Sequence, residues 1–127
     1  MWKTYRKILP KYSKLTLKEE RRLIALAKRG SKKHMDEVIL RHLSFVIFRL
    51  YKVAFPEYLK RFGEDLLSES TLILQKKIKT YNLRYKDKEG NPKPVRFSSY
   101  IWKRIDGHIL DSLKKESQKD KLEEVLN

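Results

Sequence analysis

Punctuation is scarce in this chain: four glycines and four prolines serve 127 residues, so the backbone has few places at which to turn or break. Long helices follow, and the apolar residues fall at helical spacing. Ile101, Ile105, Ile109 and Leu113 recur every fourth position, and Leu67, Leu74, Ile78 and Tyr81 stand at offsets 0, 7, 11 and 14. No strand-like alternation or internal repeat stands out. The chain is expected to be all-α, a compact helical domain of about five helices.

Local signals set the expected boundaries. Thr16-Leu17-Lys18-Glu19 is a capping box, in which the Thr16 hydroxyl accepts from the Glu19 amide and Glu19 reaches back to the Thr16 amide. The helix it opens carries Leu17, Leu23, Ile24, Leu26 and Ala27 and stops near residue 29, at Lys28-Arg29-Gly30. Ser31 caps the next helix, whose apolar stretch from Val38 to Leu50 is too broad for one stripe and calls for cover on more than one side. Pro56 to Phe62 reads as a short helical turn before Gly63, followed by a separate helix from Asp65 to Tyr81 with Glu64 and Asp65 at its amino-terminal end. Asn82, Gly90, Asn91, Pro92 and Pro94 make 82–96 a basic loop. Ser98 or Ser99 then caps a last helix running to about Ser117, and Leu122, Val125 and Leu126 share one side of a helical or fraying continuation. The domain plan is a basic, aromatic lead-in over 1–14, a helical domain over 15–117 and a tail over 118–127.

Charge narrows the partners. The 31 Lys+Arg against 16 Asp+Glu leave +15, an excess that makes sense beside a polyanion such as nucleic acid, with acidic membrane as the other candidate. The lack of cysteine removes disulfides, thiolate catalysis and Cys-type zinc sites, and the three scattered histidines lack metal-ligand spacing. No apolar run approaches the roughly 18 to 20 residues of a membrane span, so a soluble, cytoplasmic protein without membrane association is expected.

Between residues 76 and 104 stand ten basic and two acidic residues, interleaved with Tyr81, Tyr85, Phe97, Tyr100 and Trp102. Cations beside aromatic faces suit unpaired bases, which stack for about 1 to 3 kcal/mol each. The same residues equally describe a core flanked by a solvated basic face. Asp65 and Glu69 share one helical face with Glu64 nearby, but helix capping and ion pairing account for them without a metal or acid/base site. No catalytic residue, metal or cofactor is expected.

Read as a block, Asp65-Leu66-Leu67-Ser68-Glu69-Ser70 through Lys79-Thr80-Tyr81-Asn82 resembles the sigma-70-type family of bacterial sigma factors, which writes Asp-Leu-Ile-Gln-Glu-Gly and then Lys-Phe-Asp over the same eighteen positions. Arg96-Phe97-Ser98-Ser99-Tyr100, followed by Arg104-Ile105-Asp106-Gly107-His108-Ile109-Leu110-Asp111-Ser112-Leu113, looks like that family's Phe-Ser-Thr-Tyr stretch and its helix. Upstream, Leu15-Thr16-Leu17-Lys18-Glu19-Glu20, Ala27-Lys28-Arg29-Gly30 and Leu40-Arg41-His42-Leu43-Ser44-Phe45-Val46 are similar to its Leu-Thr-x-Glu-Glu opening and Asn-Leu-Arg-Leu-Val. The likeness spans about 15–113, with the loop over 83–95 longer than the family usually has.

The resemblance implies the helical unit called region 2, in a minimal factor of alternative or phage-late type. Asp65, Leu66, Leu67, Ser68 and Glu69 would face the clamp coiled coil of core RNA polymerase. Tyr100 and Tyr81 would stack a flipped adenine of the promoter's non-template strand; His42, Phe45 and Ser98 would lodge a later thymine. Arg96, Ser99, Lys103 and Arg104 complete the expected DNA-binding set, with Lys103 and Arg104 holding phosphates where primary factors carry paired tryptophans. Ser68 replaces the family's Gln at the polymerase contact, Ser70 and Ile73 replace glycines, and Asp106 replaces an Arg. About fourteen residues follow Leu113, too few for the minus-35-reading helix-turn-helix. A co-activator or separate subunit would then supply the second anchor. Two other functions stay open: a clamp-binding regulator or decoy without promoter recognition, which the resemblance would equally imply, and a general basic helical nucleic-acid-binding protein, which the charge allows.

Overall fold

A computed structural model describes residues 15–126; the expected lead-in over 1–14 lies outside the described residues. Among them the protein is all-helical, with four helices: α1 (Leu17–Lys28), α2 (Lys32–Val53), α3 (Pro56–Thr80) and α4 (Phe97–Leu126). No helix is long and apolar enough to cross a membrane.

α1 begins at Thr16, whose hydroxyl oxygen accepts from the Glu19 amide at 3.2 Å. The return half of the expected capping box differs: the Thr16 hydroxyl itself donates to the Glu19 carboxylate at 2.8 Å. The helix leaves through Gly30, at a φ of +105° that strains any residue with a Cβ. Ser31 then caps α2 by accepting from the His34 amide. α2 packs against all three other helices, which answers the breadth of its apolar surface. Val38, Leu43, Val46 and Leu50 of α2 meet Ile24 of α1, Leu59, Leu67, Leu74 and Ile78 of α3, and Ile101, Ile105 and Ile109 of α4 in one core.

Two expectations change. The helical turn from Pro56 and the helix from Asp65 are one helix, so the described residues hold four helices rather than about five. Gly63 costs a helix about 1 kcal/mol relative to alanine. Here it sits buried on the stripe Leu59, Gly63, Leu66, Leu67, Ser70, Leu74, Ile78, and burial along that stripe outweighs the penalty. Pro56 occupies the first turn, where its missing N–H leaves nothing unsatisfied. Glu64 and Asp65 therefore stand mid-helix, not at a helix start.

The second change concerns α4, which begins at Phe97, one residue before the serines expected to cap it. Its cap comes from another helix. Glu20 of α1 accepts the Phe97 amide at 3.1 Å through Oε2, satisfying a donor that the first turn leaves open. α4 runs unbroken to Leu126, with Leu122, Val125 and Leu126 exposed beyond the core.

Candidate nucleic-acid interface

Where α3 ends and α4 begins, four rings gather. Phe97 lies edge-on to His42 (centroids 4.8 Å) and to Tyr81 (6.0 Å), and Tyr81 is edge-on to Tyr100 (5.5 Å). Phe97 and Tyr81 are core residues. The Tyr81 hydroxyl donates to the Val95 carbonyl, and burial pushes its pKa up, which keeps it a neutral donor. Tyr100 is half-buried, with its hydroxyl 3.2 Å from Thr80 Oγ1 and the Lys77 ammonium 5.0 Å from its ring centroid.

In front of this cluster opens a mostly apolar pocket of about 250 Å³, lined by Tyr81, Asn82, Tyr85, Lys93, Val95 and Tyr100. It offers flat aromatic walls with a cation at the lip, an arrangement whose chemistry would suit a planar ring attached to a phosphate chain.

Residues 82–95 form a pinned finger rather than a loose loop. Asp87 Oδ1 accepts from the amides of Glu89 (3.0 Å) and Asn91 (2.9 Å), while the Asp87 amide donates to the Asn91 carbonyl (2.9 Å). The Lys93 amide donates to the Tyr85 carbonyl at 3.0 Å, and Gly90 takes the turn at a φ of +84°. The finger's foot is tied to α1: Lys28 Nζ donates to the Tyr81 carbonyl and Arg21 Nη2 to the Leu83 carbonyl. Both cations sit just past the carboxyl-terminal end of α3, where the helix dipole favours them.

Beneath the pocket lies a buried polar node. His42 Nδ1 is 2.7 Å from the Val38 carbonyl and Nε2 is 3.2 Å from Glu20 Oε1, so both ring nitrogens face acceptors. Burial alone would raise the Glu20 pKa. Hydrogen bonds from His42 and the Phe97 amide, with the charges of His42 and Arg96, outweigh it and hold the carboxyl below its usual value.

Several expected contact residues have other work in the fold. His42 is buried with Glu20, and Phe45 packs half-buried against the core. Arg96 Nη1 donates to the Leu15 carbonyl at 2.7 Å, tying the start of α4 to the chain ahead of α1. Leu66 and Leu67 are each 2 % exposed, which makes them core residues rather than a polymerase-facing surface. Asp65, Ser68 and Glu69 remain exposed. Ser99 and Lys103 are also exposed, Ser98 is half-buried, and Tyr81 forms the back wall of the pocket.

α3 and α4 lie antiparallel, with Thr80 beside Tyr100 and Glu69 beside His108. His108 Nε2 is 2.9 Å from Glu69 Oε2, an ion-pair distance off hydrogen-bond alignment. Asp65, Glu69, Arg104, His108 and Asp111 line one groove between the helices. Arg104 therefore faces the carboxylates of α3 instead of extending the aromatic pocket. From Glu69 to Thr80 is about 16 Å along the helix axis. On the other side of α4, Asp106 grips Arg49 through two hydrogen bonds (2.9 and 2.6 Å) and accepts from Trp102 Nε1 at 2.9 Å.

Tyr85 and Lys93 were read only as members of the basic, aromatic stretch, and Asn82 and Val95 not at all as site residues, because a hairpin-like turn, invisible to helical periodicity, brings all four to Tyr100. Glu20 did leave a signal. It shares the buried stripe of Ile24 and Ala27, and a carboxylate at such a position requires a partner. Among the described residues no cluster of His, Asp or Glu could hold a metal ion. No protein-family model, curated protein or solved structure matches the chain.

Proposed function

We propose that this chain is a minimal sigma-like transcription initiation factor. It binds core RNA polymerase through the exposed Asp65, Ser68 and Glu69 of α3 and holds an opened minus-10-type promoter strand at the pocket of Tyr81, Tyr85 and Tyr100. One observation carries the reading: an aromatic pocket with Lys93 at its lip and Lys77 over the Tyr100 ring stands about 16 Å along the same helix pair from an exposed acidic face, so two large partners can be held at once. A flipped base costs a few kcal/mol to extrude, and stacking on Tyr100 and Tyr85 offsets that cost. The order and spacing of the sigma-like motifs over 15–113 supply the partner's identity.

Runoff transcription with purified bacterial core polymerase, with and without the protein, tests the reading directly. Tyr100→Ala is expected to abolish promoter opening, read by permanganate footprinting, while polymerase pull-down stays intact. Asp65→Lys with Glu69→Lys is expected to weaken pull-down more than tenfold without weakening single-strand binding, which the added positive charge favours. Normal transcription with Tyr100→Ala would favour a clamp-binding regulator. Unchanged pull-down with the paired lysines would favour a general nucleic-acid binder.

A further inference from the structure

From the pinned finger over 82–95, we infer that this segment is a phosphate clamp for single-stranded DNA, holding the backbone of the strand whose base enters the Tyr81–Tyr85–Tyr100 pocket. The inference rests on that pocket reading and adds a second, separable contact to it.

The finger carries Arg84, Lys86, Lys88 and Lys93 against Asp87 and Glu89. Asp87 turns its carboxylate inward onto the amides of Glu89 and Asn91, so its charge organises the turn. Among the described residues none of the four cations has a carboxylate partner within ion-pair distance. The finger is also anchored and preshaped: the ties of Tyr81, Leu83 and Val95 hold its foot, and the Lys93–Tyr85 hydrogen bond joins its two limbs. Little ordering entropy is then lost when a backbone docks. Tyr85 and Lys93 belong to the finger and the pocket alike, so a nucleotide stacked within places its own phosphate at the finger's root. Aromatic faces inside a pocket accept an unpaired base, whereas a base in a duplex has both faces covered by its neighbours. That favours a single strand over a duplex.

The probe is a fluorescein-labelled AT-rich single-stranded DNA oligonucleotide, bound to the full chain at a series of salt concentrations. Neutralising the finger (R84Q/K86Q/K88Q/K93Q) is expected to weaken binding at least tenfold at low salt and to reduce the slope of log K against log salt by about 0.7 for each phosphate released. A control with the same charge loss on exposed positions of α1 and early α2 (K18Q/R22Q/K32Q/K33Q) is expected to retain the wild-type slope. Asp87→Ala separates shape from charge. Removing an acid strengthens DNA binding on charge alone, whereas loss of the turn is expected to weaken it several-fold.

Equal losses in the two quadruple variants, tighter binding by Asp87→Ala, or a loss seen with the duplex form of the probe and not the single strand would each overturn the clamp. If Tyr100→Ala weakens single-strand binding while the finger variant does not, the clamp fails and the pocket stands. If Tyr100→Ala is neutral as well, the pocket reading fails with it.

Discussion

Glu20 joins three helices through one carboxylate: it belongs to α1, meets His42 of α2 and caps α4 at Phe97. Its lowered pKa ties this junction to pH. The stabilisation is fully present above the carboxyl's unfolded value, near pH 4 to 5, and is lost as pH falls through the lower folded value. Glu20→Gln keeps the shape and removes the charge. It is expected to cost about 2 kcal/mol at pH 7 and to flatten the acid limb of the stability curve, both measured by urea denaturation across pH 3 to 7. Because the node lies directly under Phe97 and Tyr81, the same variant reports how far the aromatic pocket depends on the core beneath it.

At the scale of elements, the core stripes were plain in the sequence. Ile101, Ile105 and Ile109 are fully buried, as are Leu74 and Ile78, and the exits at Gly30 and residue 81 fall where composition put them. What sequence could not reveal was context. Gly63 reads as a break until packing along α3 overrides it, and Ser98 and Ser99 read as caps until a carboxylate from α1 takes their place. Tyr100, a wall of the candidate pocket, was legible because its motif is local. The finger's contribution was not, since it depends on hydrogen bonds between Tyr85 and Lys93 and within 87–91. The uneven burial of α4 gives a direct comparison. Ile105→Ala is expected to cost about 3 kcal/mol by denaturant titration, and Leu122→Ala, exposed beyond the core, less than about 0.5 kcal/mol.

The whole molecule carries +15 charges, and self-repulsion works against its compact state. Screening shortens the reach of that repulsion from about 30 Å at 0.01 M salt to about 10 Å at 0.1 M. The melting temperature is therefore expected to rise by several degrees between 10 and 200 mM sodium chloride, measured by circular dichroism. A short polyanion is expected to produce a similar rise at low salt. On the proposed function, affinity for nucleic acid would move the opposite way with salt, so conditions that favour folding would loosen a grip on DNA.

α3 has no joint between Pro56 and Thr80. Such a rod acts as a ruler: whatever grasps its acidic middle also fixes the height and angle at which its far end is presented. A body that seized Glu69 would thereby aim Tyr100, with no hinge to be swung into place.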